Sequence, residues 1–164
     1  MKKAVFLDRD GVINREIGDY VFSENDFEVN DGVVEAIKLL KENDFLVIII
    51  TNQGGIAKGI FSEKDFWQVM KKLDRILYDG GVKIDEVYFC PHHPDVMSCL
   101  CRKPEPLMIE KAIARFNIDV QKSYMIGDSP RDVLAAEKVG VKGILIESNS
   151  NLMNVAKLIV AEVV

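Results

Sequence analysis

Short apolar runs alternate along the chain with longer segments of helical periodicity. The apolar runs are Ala4–Leu7, Leu46–Ile50, Glu86–Phe89, Tyr124–Ile126 and Gly143–Ile146. Apolar residues recur at helical spacing in Val33–Asn43, Ser62–Asp79, Leu107–Phe116 and Asp132–Val139, and a last helix is expected from Leu152 to near Val164. This alternation predicts an α/β protein with a parallel sheet and right-handed crossovers. Because the runs are short and nearly all apolar, the strands should be covered by helices on both faces.

Composition narrows the class of protein. The 164 residues suit one domain, and 48% hydrophobic with 29% charged residues can build an ordinary core. The net charge of −5 argues against a nucleic-acid surface. No apolar stretch is long enough to span a membrane, and the run Ala4–Leu7 is too short for a signal peptide. We therefore expect a cytoplasmic protein with no nucleic-acid or membrane partner, and we expect a monomer.

Two carboxylates follow the first apolar run. Asp8 and Asp10 lie two positions apart and Gly11 comes next. Alternate side chains of a strand point the same way, so both carboxylates can face one point beyond the strand, where ligands of open α/β sheets bind. Two carboxylates at one point repel unless a cation lies between them, and Mg²⁺ prefers such oxygens. The alternative is a surface turn, in which Asp and Gly are common.

Polar groups also follow later strands, and together they suggest phosphoryl transfer to a carboxylate. Asp8 would be the nucleophile, and Asp10 would be the general acid and then the base. Thr51, the amides that follow it, and Lys103 would stabilise the phosphoryl oxygens, and Asp128 would complete a Mg²⁺ site. Each residue has an alternative: Thr51 could end a strand, Lys103 could be a solvated surface residue, and Asp128 could cap a helix. Each alternative is plausible for its own residue, but it is far less probable that all these residues occur in this order by accident.

The motifs DRDG, TNQGG, a later lysine and GDSPRD resemble, in this order, those of the haloacid dehalogenase-like superfamily of phosphatases. The finer motifs FLDRDGVIN, TNQGGIAKG, CPHHPD and CRKPEPLM are similar to its small capless branch, which contains D-glycero-D-manno-heptose-1,7-bisphosphate 7-phosphatase and histidinol-phosphatase. The resemblance implies a three-layer α/β/α sandwich with a Rossmann-like parallel sheet of order 3-2-1-4-5 and no cap domain. Only 21 residues separate Asp10 from Gly32, too few for an inserted domain, so residues 14–31 are expected to form an active-site loop or flap.

The same resemblance implies roles for individual residues. Asp8 is the nucleophile, Asp10 is the acid/base and also binds Mg²⁺ through its backbone carbonyl, and Asp128 is the remaining protein ligand of Mg²⁺. Thr51 and Lys103 hold the transferring phosphoryl group. The implied substrate-binding residues are Arg9, Glu16, Ile17, Gly18, Asp19, Asn52, Gln53, Gly54, Arg102 and Ser129.

All three cysteines and both histidines lie within residues 90–101. Cys90, His92, Cys99 and Cys101 form a Cys-x-His and Cys-x-Cys pattern, which is typical of a closed structural zinc site. An unliganded cluster of reduced cysteines is the alternative, and His93 could replace His92. The family resemblance points to Zn²⁺ at the first four positions, in a loop that carries Arg102 and Lys103.

The leading functional hypothesis is hydrolysis of D-glycero-D-manno-heptose 1,7-bisphosphate at C7 through an aspartyl-phosphate, in the biosynthesis of nucleotide-activated heptose. Histidinol-phosphate phosphatase is the alternative enzyme, because the Cys/His loop is near the length found there. A catalytically silent, zinc-stabilised binding domain is the alternative of a different class.

Overall fold

The computed structural model describes residues 1–163. Its strands are β1 (Lys3–Leu7), β2 (Phe45–Asn52), β3 (Glu86–Cys90), β4 (Tyr124–Gly127) and β5 (Lys142–Leu145). Its α-helices are α1 (Val33–Glu42), α2 (Glu63–Asp79), α3 (Leu107–Phe116), α4 (Pro130–Glu137) and α5 (Leu152–Val163). Every predicted strand and helix is present, with described ends within two residues of those expected. The expected helix end near Val164 falls at the limit of the described residues, and Val164 itself lies outside them.

All five strands are parallel, and their order is β3-β2-β1-β4-β5. This confirms the predicted order. Side chains of a strand alternate between the two faces of the sheet. In β1, Val5 and Leu7 join a core with α1, α2 and α5. Ala4 and Phe6 join the opposite core with α3 and α4. The result is the predicted three-layer α/β/α sandwich.

The two outer strands differ from the prediction that every strand is covered on both faces. Residues of β3 are mostly half-buried, and the ends of β5 are exposed, Leu145 by 56%. Each of these strands has a neighbour on one side only. Apolar character alone does not distinguish an edge strand from a central one, which is why the sequence pattern overestimated their burial.

The segment between β1 and α1 contains no inserted domain in the described chain, as expected for a capless phosphatase fold. It is more firmly attached than a simple flap. Val21 and Phe27 are buried in the core, and Phe22 stacks on Phe61 with ring centroids 5.3 Å apart. The longest exposed parts of the segment are residues 15–19, of which residue 16 is half-buried, and residues 24–26. None of the helices among residues 1–163 is both long and apolar enough to cross a membrane.

Candidate active site

A cavity of about 520 Å³ opens where the carboxyl ends of the central strands meet. Residues from the loops after β1, β2, β3 and β4 line it. They are Asp8, Asp10, Glu16, Gly18, Asp19, Tyr20, Val21, Asn52, Gln53, Gly54, Arg102, Lys103, Asp128, Ser129 and Arg131. The fold therefore brings together motifs that are more than 100 residues apart in the sequence.

Lys103 lies at the bottom of this cavity and is 2% exposed. Its Nζ donates to Oδ1 of Asp8 (2.9 Å) and to the carbonyl oxygen of Ile50 (2.7 Å), and it lies 2.7 Å from Oδ1 of Asp132. Burial alone would lower the pKa of Lys103, but Asp8 and Asp132 outweigh it and raise the pKa. Lys103 is thus a buried cation held by two carboxylates, which excludes the alternative of a solvated surface lysine.

The Asp10 carboxylate is held by three neighbouring side chains. Oδ1 accepts from Arg9 Nη2 (2.8 Å) and Asn14 Nδ2 (3.0 Å), and Oδ2 accepts from Gln53 Nε2 (3.0 Å). The side chain still lines the cavity beside Asp8. This arrangement gives Asp10 a defined orientation, which a group that transfers protons requires.

Three carboxylates converge on one point. Oxygens of Asp8, Asp128 and Asp132 all lie within 4.8 Å of one another, which is close enough to hold a single ion. Burial raises the pKa of Asp8 to about 7, and the nearby Asp132 and Asp10 add to this effect while Lys103 opposes it. Burial also raises the pKa of Asp128. A hard divalent cation would relieve this repulsion, so the donor set fits Mg²⁺.

Gly11 allows these carboxylates to approach. Its φ is +85°, and a Cβ at this position would lie 1.9 Å from Oδ2 of Asp128. Asp128 is not the helix cap that the sequence allowed. Ser129 precedes α4 as its N-cap, and Asp132 accepts from the Ser129 N–H (3.1 Å). The carboxylate of Asp128 is therefore not taken up in capping α4 and faces the cavity.

The Cys/His cluster lies beside the cavity. Cys90 Sγ is 2.9 Å from Cys101 Sγ and 3.6 Å from Cys99 Sγ, and His92 Nδ1 is 3.2 Å from Cys101 Sγ. His93 is outside the set of four that could share an ion. Burial raises the pKa of the Cys90 and Cys101 thiols. Three thiol groups and one imidazole at this spacing match a closed tetrahedral site.

This cluster also positions Arg102. Arg102 Nη1 donates to the carbonyl oxygen of His92 (3.1 Å). Gly54 packs against the same place, because a Cβ there would lie 2.9 Å from Arg102 Nη1 and 2.8 Å from His93 Cδ2. The guanidinium is thereby directed along the wall of the cavity.

Comparison with known proteins agrees with this geometry. The family model described as HAD-hydrolase-like matches residues 100–157. The chain is 47% identical over 147 residues to the D-glycero-beta-D-manno-heptose-1,7-bisphosphate 7-phosphatase of Haemophilus ducreyi, covering 86% of this chain and 80% of the relative. The chain belongs to the heptose-1,7-bisphosphate 7-phosphatase branch of the haloacid dehalogenase-like phosphatases.

Two further members of this branch extend the comparison. The D-glycero-alpha-D-manno-heptose-1,7-bisphosphate 7-phosphatase of Photorhabdus laumondii is 39% identical over 145 residues, which are 85% of this chain and 79% of the relative. The crystal structure of D,D-heptose 1,7-bisphosphate phosphatase from B. bronchiseptica, complexed with magnesium and phosphate, superposes with a TM-score of 0.91 at 31% identity. It covers 98% of this chain and 99% of that one.

Three residues predicted for this phosphatase site do not line the cavity. Arg9 is 1% exposed, because its guanidinium binds Asp10 and the Val21 carbonyl oxygen and packs near two phenylalanine rings. Arg9 is thus a buried support of Asp10 in this structure and does not form part of the cavity wall. Ile17 is 48% exposed outside the cavity. Thr51 is fully buried beneath the cavity, where its Oγ1 accepts from Gln53 Nε2 (2.9 Å).

Two of the predicted substrate-binding residues use their side-chain amides to hydrogen-bond Lys103 and Asp10. Asn52 Oδ1 accepts from the Lys103 N–H (3.0 Å) and its Nδ2 donates to the Lys103 carbonyl oxygen (3.2 Å). Gln53 supports Asp10 in the same way, as described above. Both residues line the cavity, and their hydrogen bonds hold Lys103 and Asp10 in position.

Sequence reasoning missed four residues of this site. Tyr20, Val21 and Arg131 line the cavity, and Asp132 forms the buried pair with Lys103. Asp132 carried a recognisable signal, because it is the second acidic residue of the motif GDSPRD. Its burial beside the nucleophile could not be deduced from its place in the first turn of α4.

Proposed function

We propose that this chain hydrolyses the C7 phosphate of D-glycero-D-manno-heptose 1,7-bisphosphate in the biosynthesis of nucleotide-activated heptose. The observation that carries the proposal is the buried Lys103 bonded to Asp8, with an oriented Asp10 beside it at the floor of an open cavity. Membership of the phosphatase branch supports the same reaction and argues against a silent binding domain.

In the proposed mechanism the free carboxylate oxygen of Asp8 attacks phosphorus. A bond forms between Asp8 and phosphorus while the bond from phosphorus to the sugar O7 breaks, and Asp10 gives its proton to the departing O7. Water then attacks phosphorus, Asp10 accepts a proton from it, and inorganic phosphate leaves Asp8. Lys103 supplies positive charge to Asp8 and to the phosphoryl oxygens throughout.

The backbone carbonyl of Asp10 with the carboxylates of Asp8 and Asp128 would hold Mg²⁺. The ion supplies charge neutralisation that lets an anionic nucleophile meet an anionic phosphate. Asp132 is the third acid of the cluster, and its contact with Lys103 assigns it to holding that lysine rather than to direct ligation. The magnesium bound to the B. bronchiseptica relative supports this choice of ion.

The cavity walls suit a sugar with two phosphates. Arg102 and Arg131 provide two guanidinium groups in the cavity wall, and guanidinium groups bind phosphates bidentately. Glu16 and Asp19 on the opposite loop provide acceptors for sugar hydroxyl groups. Histidinol phosphate carries a cationic amine where the bisphosphate carries an anion, so the two arginines favour the bisphosphate.

We also assign Zn²⁺ to Cys90, His92, Cys99 and Cys101. A closed set of four ligands has no open position for water, so this ion stabilises the loop and takes no part in the reaction. Its effect on catalysis is indirect, through the His92 carbonyl oxygen that holds Arg102.

Phosphate release measured with Mg²⁺ on a panel of substrates tests the proposal. The panel contains both anomers of heptose 1,7-bisphosphate, histidinol phosphate and fructose 1,6-bisphosphate. We expect the highest kcat/KM for a heptose bisphosphate and no release without a divalent cation. Equal or better turnover of histidinol phosphate would overturn the substrate assignment.

A further inference from the structure

The loop after β5 reaches the active site, although no catalytic group was predicted in it. The Ser148 hydroxyl lies beside the Asp128 carboxylate, since both would crowd a Cβ placed at Gly11, and the Asn149 N–H donates to the carbonyl oxygen of Gly11 (2.8 Å). The fifth strand therefore ends at the same edge of the sheet as the other motifs, beside the proposed Mg²⁺ ligands.

The side chain of Asn149 binds the backbone of Glu16 at two points. Its Oδ1 accepts from the Glu16 N–H (2.7 Å), and its Nδ2 donates to the Glu16 carbonyl oxygen (3.0 Å). The two residues are 133 positions apart in the sequence. Glu16 lines the cavity, and its own Oε1 accepts from the Gly18 N–H (2.6 Å). The pair of bonds thus holds the exposed loop of residues 16–19 against the rest of the site.

Asparagine is well suited to this task. Asn149 has a φ of +63°, a backbone conformation that asparagine tolerates better than most residues. Its amide carries both a donor and an acceptor, so it can satisfy a peptide N–H and a peptide C=O together. Aspartate could only accept, and glycine could keep the backbone but make neither bond.

We propose that Asn149 is a positioning residue for substrate recognition, which fixes the Glu16 loop over the sugar of the bound bisphosphate. The inference rests on the proposed function, because it takes the loop of residues 16–19 as the wall that meets the sugar. Without Asn149 the loop must be ordered when substrate binds, so affinity falls while the groups that break the phosphate ester remain in place.

Asn149→Gly is the test variant, because glycine accepts the positive φ without strain. Asn117→Gly is the matched control: Asn117 also has a positive φ, of +53°, and follows α3 at the opposite end of the sheet. Amide hydrogen exchange at Glu16 and steady-state kinetics with heptose 1,7-bisphosphate and p-nitrophenyl phosphate are measured on all three proteins.

In Asn149→Gly we expect faster exchange at Glu16 and a KM for the bisphosphate raised by about threefold to tenfold, the range of one typical hydrogen bond. The change in kcat should be less than about twofold by the same reasoning. The preference for the bisphosphate over p-nitrophenyl phosphate should fall, and Asn117→Gly should match the unmutated chain. Unchanged exchange, or an unchanged KM ratio, would overturn the inference. Failure of the unmutated chain to hydrolyse the bisphosphate would instead overturn the proposed function.

Discussion

The Nζ of Lys103 lies 2.9 Å from Oδ1 of Asp8, with the lysine side chain 2% and the aspartate side chain 14% exposed. A charge pair so nearly removed from water depends on its geometry, because neither group can be solvated if the other is lost. Asp132 makes the pair a triad by approaching the same Nζ from another element, α4.

Asp8→Asn should abolish turnover, because an amide cannot act as the anionic nucleophile. We expect a loss of about 10⁴-fold or more in kcat, as for nucleophile deletions in other covalent enzymes. Rapid-quench experiments with labelled substrate should find phosphoenzyme in the unmutated chain and none in the variant. Retention of more than a few per cent of activity would refute the covalent mechanism.

The pH dependence of stability should report the pKa of Asp8. Folding raises that pKa from 3.8 to about 7, so between these values the folded state keeps a proton that the unfolded chain releases. The stability from this group is complete below pH 3.8 and is lost as the pH rises to about 7. In protein without Mg²⁺, Asp8→Asn should therefore be the more stable form at pH 8, by about 1 kcal/mol or more, equivalent to about 2–4 °C in Tm.

Thermal unfolding between pH 4.5 and pH 8 measures this difference. The advantage of Asp8→Asn should shrink as the pH falls, and Mg²⁺ should stabilise the unmutated chain more than the variant. A difference in Tm that does not depend on pH would show that Asp8 is not strained by its neighbours.

Lys103→Met should be strongly destabilising. Removing the cation leaves the carboxylates of Asp8 and Asp132 buried without a positively charged partner, a change that typically costs about 3–5 kcal/mol. Lys111→Met is the matched control, because Lys111 is exposed on α3. Urea unfolding of the two variants should differ by most of that amount, and similar midpoints would contradict the structural role of Lys103.

Metal analysis of dialysed protein should find one Zn²⁺ per chain. Cys99→Ser should lower the affinity for zinc by more than the ~10–100-fold typical of losing a supporting contact. It should also lower Tm, because metal binding is coupled to folding of the loop. His93→Asn should retain the ion, because His93 lies outside the set of four ligands. If His93→Asn lost zinc and Cys99→Ser retained it, the assignment of Cys99 and not His93 as a zinc ligand would be wrong.

Arg102→Ala should weaken selection of the bisphosphate. A charge-assisted bond to the second phosphate contributes about 1.5–3 kcal/mol, so kcat/KM for heptose 1,7-bisphosphate should fall by about 10- to 100-fold. The value for histidinol phosphate should fall less or rise. Arg75→Ala, which changes an exposed arginine on α2, serves as the control. An equal loss for both substrates would assign Arg102 to the transferring phosphate instead.

Local pattern was enough to predict most of the fold. Runs such as Ala4–Leu7 and Leu46–Ile50 are apolar because both faces of a central strand are buried, and Ser62 with Asp65 marks the start of α2 through a capping box that the structure contains. The same signals could not separate the edge strands β3 and β5 from the central ones. The burial of an outer strand depends on whether other parts of the chain pack against its unpaired side, and the sequence of the strand does not report this.

The sequence by itself determined which residues follow each strand, and so it placed Asp8, Asp10, Lys103 and Asp128 at one edge of the sheet. Only the tertiary structure decided where their neighbours point. It turned Arg9 inward to hold Asp10, buried Asp132 against Lys103, and joined Asn149 to Glu16 across 133 positions. The periodicity of one segment reports which side of that segment is buried, whereas a contact between distant segments exists only when packing brings their backbones together. For that reason the chemistry could be predicted from motifs, and the supports that orient it could not.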